Sequence, residues 1–140
     1  MTRPVSYVEI NSPDLPRSAA FLSAVFGWEP QPFSAADYLV APHGDAPGVD
    51  TGLMASSDGQ PRCIPVIRVP DLTTALAAVT AHGGALVVAP FTLPGIGSRC
   101  YVTDPTGVLI GLHHYDVDDG RVDVGGVDVG RVDVGGSGGL

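Results

Sequence analysis

NSPDLPRSAAFLSAVFGW, residues 11–28, and RVPDLTTALAAVTAHGGA, residues 68–85, decide how this chain folds. In the first stretch Asp14 is a helix N-cap. Pro16 falls in the first turn, where its missing N–H costs nothing, and Gly27 supplies a C-terminal stop. Ala19, Leu22, Val25 and Phe26, with Leu15 near the start, are spaced as one buried stripe. In the second stretch Asp71 caps, Leu72, Leu76 and Val79 line the helix, and it ends near His82-Gly83-Gly84. Asp14 and Asp71 lie 57 residues apart, and so do Gly27 and Gly84. An equal offset at both ends of a helix marks an internal duplication.

The flanks extend the repeat. Val5 to Ile10 alternates like a half-buried strand, with Val5, Tyr7 and Glu9 on one face. Cys63 to Val69 is its counterpart. Strand-like segments follow each helix: Glu29–Phe33, Asp37–Ala41 and Gly52–Ala55, then Ala85–Ala89, Ser98–Thr103 and Val108–His113. Each half is therefore β-α-β-β-β, and the fold class is α+β. Module 1 covers about residues 4–56 and module 2 about residues 61–115, within one domain of residues 1–115. A small curved sheet with one helix leaves its other face bare, so two of them can share that face and enclose a cavity. The turn Asp104-Pro105-Thr106-Gly107 joins the last two strands. Pairing through it is expected to set Cys100 opposite Gly111. Ser98, Cys100 and Val102 would then face inward beside Leu109 and His113.

Composition narrows the function. The chain has 140 residues, 44% of them hydrophobic, and a net charge of -8. All seven cations are arginines. Such a surface repels phosphates and anionic lipid, so neither nucleic acid nor a membrane is an expected partner. No apolar run reaches the ~18 residues of a membrane helix, and no secretory segment is visible, so a cytoplasmic location is expected. Cys63 and Cys100 are expected as free thiols, with Cys63 facing away from Ile64's side. From Asp116 the composition changes: Gly120-Arg121-Val122-Asp123-Val124 recurs as Gly130-Arg131-Val132-Asp133-Val134. Residues 116–140 read as a flexible acidic tail, too glycine-rich for stable strands. The aspartates recur every five residues rather than every nine, unlike a calcium-binding β-roll.

The order of motifs resembles the glyoxalase/bleomycin-resistance/dioxygenase proteins, the vicinal-oxygen-chelate superfamily. The residues that carry this are Tyr7-Val8-Glu9-Ile10, Pro13-Asp14-Leu15, Phe26-Gly27-Trp28, Val69-Pro70-Asp71-Leu72, Ala81-His82-Gly83-Gly84, Pro94-Gly95-Ile96-Gly97, Asp104-Pro105-Thr106-Gly107 and Ile110-Gly111-Leu112. The resemblance spans about residues 4–115. It implies a cavity that, in metal-using members, holds one divalent ion on His, Glu or Gln from the first and last strands of each half. Those positions here are Tyr7, Ile64, Gly111 and Gly52 or Leu53. Isoleucine and glycine have no donor side chain, so neither a metal nor another cofactor is expected. His113-His114 cannot chelate from one side, because strand neighbours point to opposite faces. His43 falls in a loop and His82 at a helix end.

Glu9 is the most informative remaining residue. Beside Tyr7 in an apolar hollow, its carboxylate would suit general acid/base work, or an ion pair with Arg68. His113 or Tyr7 could serve as the acid. The expected ligand contacts are Tyr7, Glu9, Trp28, Arg68, Ser98, Cys100 and His113; Trp28 and Phe33 read as core aromatics or as a stacking surface, Cys100 as an inert buried thiol or a nucleophile, and Pro94–Gly97 as a plain connector or a lid. The leading expectation is a homodimer that sequesters a small organic molecule, in the manner of bleomycin-resistance proteins; the protein's negative charge would favour a cationic drug. The alternative is a metal-independent lyase or isomerase with Glu9 as general base. A metal-dependent glyoxalase or dioxygenase ranks third.

Overall fold

The computed structural model describes residues 2–33, 35–116, 121–124 and 127–131. The first half runs β1 (Val5–Ser12), α1 (Leu15–Phe26), β2 (Gln31–Phe33), β3 (Ala35–Ala41) and β4 (Asp50–Ala55). The second runs β5 (Arg62–Arg68), α2 (Leu72–Ala81), β6 (Ala85–Leu93), β7 (Gly97–Thr103) and β8 (Leu109–Tyr115). Both halves are β-α-β-β-β, as the 57-residue offset requires. The caps form as their residue types dictate. Asp14 accepts the Arg17 N–H at 3.2 Å, Asp71 accepts the Thr74 N–H at 2.9 Å, and Gly27 ends α1 with φ 71°. The His82 ring sits within 2.9 Å of the Ala78 carbonyl oxygen at the end of α2.

All eight strands of the two halves form one sheet, in the order β2-β3-β4-β1-β5-β8-β7-β6. Each half contributes four neighbours in the same relative order, so the sheet has a pseudo-twofold axis between β1 and β5. Those two strands run antiparallel, with Glu9 opposite Ile64. β1 pairs parallel with β4, and β5 parallel with β8. The sheet curls, and its two ends line a common hollow. Among the described residues no helix is long and apolar enough to cross a membrane.

The convex side is covered unevenly. α2 packs Leu72, Leu76 and Val79 over Val69, Cys100, Val102 and Leu112. In α1 only Leu15 is buried, while Val25 and Phe26 are 55% and 60% exposed. The stripe expected from spacing is therefore corrected. Phe26 packs edge-on against Phe21 and beside Trp28, forming an aromatic cluster on the outside of the helix rather than a seam to the sheet.

The β7–β8 register also differs from expectation. Cys100 pairs with Leu112, and Tyr101 pairs with Gly111. Asp104 explains the shift. Its Oδ1 accepts the Thr106 and Val108 N–H groups, and its own N–H donates to the Val108 carbonyl. Val108 therefore belongs to the turn, and the strand begins at Leu109. A one-residue slip moves every side chain to the other face. Arg99 and Tyr101 point into the hollow, while Cys100 and Val102 pack toward α2 and Ser98 shares their face.

Beyond Asp116, β9 (Arg121–Val124) and β10 (Val127–Arg131) pair antiparallel with each other and with no strand of the main sheet. The sequence reading expected no strand there. The alternating Val-Asp run has the period of a strand, which outweighs its flanking glycines. Residues 117–120, 125, 126 and 132–140 lie outside the described residues.

Gly97 opens β7 with φ 152°, and a Cβ there would run into the His114 carbonyl oxygen across the ladder. Both backbone conformation and close approach demand glycine. Gly97→Ala should cost roughly 2 kcal/mol or more. Urea unfolding checks this, and a midpoint equal to the parent's would contradict it.

Candidate functional site

The alternation of β1 sends Tyr7, Glu9 and Asn11 into the hollow, a cavity of about 720 Å³. Its walls are mainly apolar and aromatic, from Phe33, Tyr38 and Met54 on one side to Val88, Phe91 and Tyr101 on the other. Its floor carries a buried ion pair. Arg99 Nη1 donates to Glu9 Oε1 at 3.3 Å, and both side chains are 5% exposed. Tyr101 donates to the same oxygen at 2.6 Å, and Asn11 Nδ2 donates to Glu9 Oε2 at 3.1 Å. Arg99 Nε donates to His113 Nδ1 at 3.0 Å, and its guanidinium lies 4.9 Å from the centre of the Tyr7 ring. The Tyr7 and Tyr38 hydroxyls are 2.9 Å apart.

Two glycines make room for this arrangement. Gly52 pairs with Glu9, and a Cβ on it would collide with the Tyr7 and Tyr38 hydroxyls. A Cβ on Gly111 would press on Val66 at 3.0 Å and on the Tyr101 ring at 3.4 Å. At Gly52, one of the positions that the family resemblance assigns to metal ligands, phenol rings from neighbouring strands thus occupy the space a side chain would need. Among the described residues no group of three His, Cys, Asp or Glu is placed to hold an ion. The guanidinium beside Glu9 would also repel one. The side chains present do not fit a divalent metal.

Burial and charge set the protonation states. Burial, helped by the neighbouring Tyr38, pushes the Tyr7 phenol well up. Burial and then Glu9 push Tyr101 up, and burial raises Tyr115 to about 12. These phenols remain donors. Burial opposes charge on Arg99, but a guanidinium does not give up its proton in a protein, and the Glu9 carboxylate 3.3 Å away balances its charge. His113 is driven down to about 2, first by burial and then by Arg99. It is a neutral ring whose Nδ1 accepts from Arg99, so its Nε2 carries the proton.

Tyr7 and Glu9 stand in the cavity wall, and His113 stands behind Arg99, wholly buried. Phe33 lines the cavity, whereas Trp28 sits outside beside Phe26. Arg68 does not partner Glu9; its guanidinium lies 4.6 Å over the Tyr115 ring. Ser98 and Cys100 face away from the cavity, and burial pushes the Cys100 thiol up, which removes it as a nucleophile. The Pro94–Gly97 segment is no lid. Ile96 is 5% exposed, packs on Tyr7 and Val66, and is tied down through its N–H to Leu93 and its carbonyl to Asp116. Arg99, Tyr101, Tyr38 and Asn11 escaped the sequence reading. Asn11 was findable, two residues beyond Glu9 on the same face. Arg99 and Tyr101 were hidden by the one-residue register error.

A second buried acid lies at the head of β4. Asp50 is fully buried and accepts the His43 N–H at 2.8 Å, with the His43 ring 3.7 Å away. Burial raises it to about 6, against the opposing pull of His43. His113, depressed from its usual 6.5, contributes stability that is complete above that pH and lost as pH falls toward 2. Asp50, raised from its usual 3.8, contributes stability that is complete below that pH and lost as pH rises through 6. Between about pH 4 and 6 the two oppose each other. Asp50→Asn, a neutral isostere, should therefore unmask an acid-side loss of up to about 1.4 kcal/mol per pH unit in that window. Urea unfolding at pH 6, 5 and 4 measures it, and a slope equal to the parent's would refute the opposition.

No family model matches the sequence, and no curated protein matches it. Solved structures do match. Methylmalonyl-CoA epimerase from Mycobacterium tuberculosis superposes with a TM-score of 0.64 at 18% identity, over 81% of this chain and 89% of that one. A variant of the Streptomyces coelicolor methylmalonyl-CoA epimerase, in complex with 2-nitronate-propionyl-CoA, gives 0.62 at 14% identity, over 84% of this chain and all (100%) of the other. The Mn(II)-bound glyoxalase from Novosphingobium aromaticivorans gives 0.59 at 21% identity, over 81% of this chain and 40% of that longer one. This chain has the fold that its sequence motifs pointed to, the paired βαβββ architecture of the vicinal-oxygen-chelate proteins.

Proposed function

We propose that this protein is a cytoplasmic binding protein that holds a small organic molecule in its cavity without a metal, by sequestration. The observation that carries this reading is the state of Glu9. Its carboxylate is already engaged by Arg99, Tyr101 and Asn11. A group so committed is a poor general base but a good fixed element of a binding floor. The cavity's size and apolar walls match those of small-molecule sites, which typically span about 300–1,000 Å³. Antibiotic resistance by sequestration falls within this reading. A second copy of the chain is the proposed partner for the outer face of α1, where Phe21, Val25 and Phe26 are exposed.

The metal-independent lyase or isomerase remains the second reading. It is favoured by one detail: among the described residues Glu9 Oε2 accepts from Asn11 alone, and Glu9 lines a cavity with room for a substrate.

Native mass spectrometry of protein drawn from its own host tests the proposal. The expected result is a noncovalent small molecule near one per chain, recovered chemically unchanged after prolonged incubation, with divalent metal far below one per chain. Conversion of that molecule by the parent but not by Glu9→Gln would instead establish the enzyme. Metal near one per chain would sink the metal-free reading. Glu9→Gln should itself cost about 3–5 kcal/mol of stability, because it strands the buried Arg99 charge.

A further inference from the structure

The ion pair on the cavity floor is unequally satisfied. Arg99 spends Nε on His113 and Nη1 on Glu9. No hydrogen bond of its Nη2 is seen among the described residues, Tyr101 being the other side chain within hydrogen-bonding reach of the guanidinium, and the side chain lines the cavity. A guanidinium presents its N–H groups in a rigid plane, so the first two contacts fix where the third group points. The result is a strong donor held ready at the bottom of an apolar hollow.

The walls above it are aromatic on both sides. Phe33 and Tyr38, from β2 and β3, have ring centroids 5.3 Å apart. Phe91 and Tyr101, from β6 and β7, are stacked with centroids 6.2 Å apart. These strand pairs are the two ends of the sheet, brought together around one cavity. The arrangement offers faces to a flat ring.

Charge selects among flat molecules. The lining holds three carboxylates, Glu9, Asp37 and Asp58, and two guanidiniums, Arg62 and Arg99. Glu9 pairs with Arg99, and Asp58 pairs with Arg62. The floor is thus already neutralised, and the chain as a whole carries a net charge of -8. An anionic ligand would meet Glu9 behind Arg99 and the acidic surface on its way in. A cationic ligand would meet the Arg99 donors head on. A neutral oxygen acceptor meets neither penalty.

Taking the cavity as the ligand site proposed above, we infer that its ligands are uncharged planar aromatic molecules bearing a carbonyl, gripped between the two aromatic pairs with the carbonyl oxygen accepting from Arg99 Nη2. In this arrangement Arg99 is a specificity-determining residue, supplying the fixed positive charge that a divalent ion supplies in metal-using proteins of this fold.

Three probes of one shape test it by calorimetric titration: 2-acetylnaphthalene, 2-naphthoate and 2-isopropenylnaphthalene. A charge-assisted hydrogen bond should make the ketone bind at least roughly tenfold tighter than the hydrocarbon, and tighter than the carboxylate too. Arg99→Lys keeps a cation beside Glu9 but loses the second planar nitrogen. It should bring the ratio of ketone to hydrocarbon affinity close to one, whatever it does to the affinities themselves. If that variant does not fold, the ranking on the parent protein decides alone. Equal binding of ketone and hydrocarbon, or an unchanged ketone advantage in a folded Arg99→Lys, would overturn the role of Arg99 and leave the binding reading standing. Tightest binding by naphthoate would do the same and mark an anion site. No binding of any probe by a cooperatively folded parent would overturn the ligand class, and native mass spectrometry would then judge the cavity by itself.

Discussion

A carboxylate and a guanidinium meet at 3.3 Å in the middle of the fold, both nearly sealed from water. At an effective dielectric of about 20 such a pair attracts by about 5 kcal/mol, the same order as the cost of desolvating each ion. The pair alone does not decide the sign. What tips it is the set of further contacts: Tyr101 and Asn11 on Glu9, His113 and the Tyr7 ring on Arg99. Much of the local sequence follows from that need. His113 must stay neutral to accept from Arg99, and burial beside a cation keeps it so. The phenols must stay protonated to donate, and the same burial ensures it. Gly52 has no room for a side chain because the Tyr7 and Tyr38 hydroxyls occupy the space beside it.

The duplicated architecture explains why the pair sits where it does. β1 and β5 lie at the pseudo-twofold axis, so residues of β1 face the deepest part of the curl. Glu9 comes from module 1, and Arg99, Tyr101 and His113 come from module 2. The floor of the cavity is therefore also a bond between the halves. Ile96 adds an apolar counterpart, packing from module 2 onto Tyr7 and Val40 of module 1. Neither half could bury its inward charge without the other.

The fold was legible because its signals were local and repeated. Asp14 and Asp71 each cap a helix through their own side chains, and a cap is readable from residue type and position. The pairing of β7 and β8 was not, because it turned on whether Val108 closed the turn or opened the strand. Asp104 settles that through hydrogen bonds to Thr106 and Val108, a choice that composition does not reveal. The cost fell on the site. One residue of slip exchanged Arg99 and Tyr101 for Ser98 and Cys100, so Glu9 was found without its partner. The α1 stripe misled for another reason. Spacing shows that a helix has an apolar face, not which surface covers it, and Val25 and Phe26 face outward.

The phenols stacked over Gly52 constrain how this site could change by descent. A histidine or glutamate at position 52 would strike the Tyr7 and Tyr38 hydroxyls at its first carbon, before any donor atom could reach toward an ion. Both rings would have to be trimmed beforehand. Trimming Tyr7 would strip the Arg99 guanidinium of the ring it rests against. A chelating centre therefore lies several ordered substitutions away, with the earliest of them harmful, so sterics alone make the chelating and ion-paired forms of this cavity hard to interconvert.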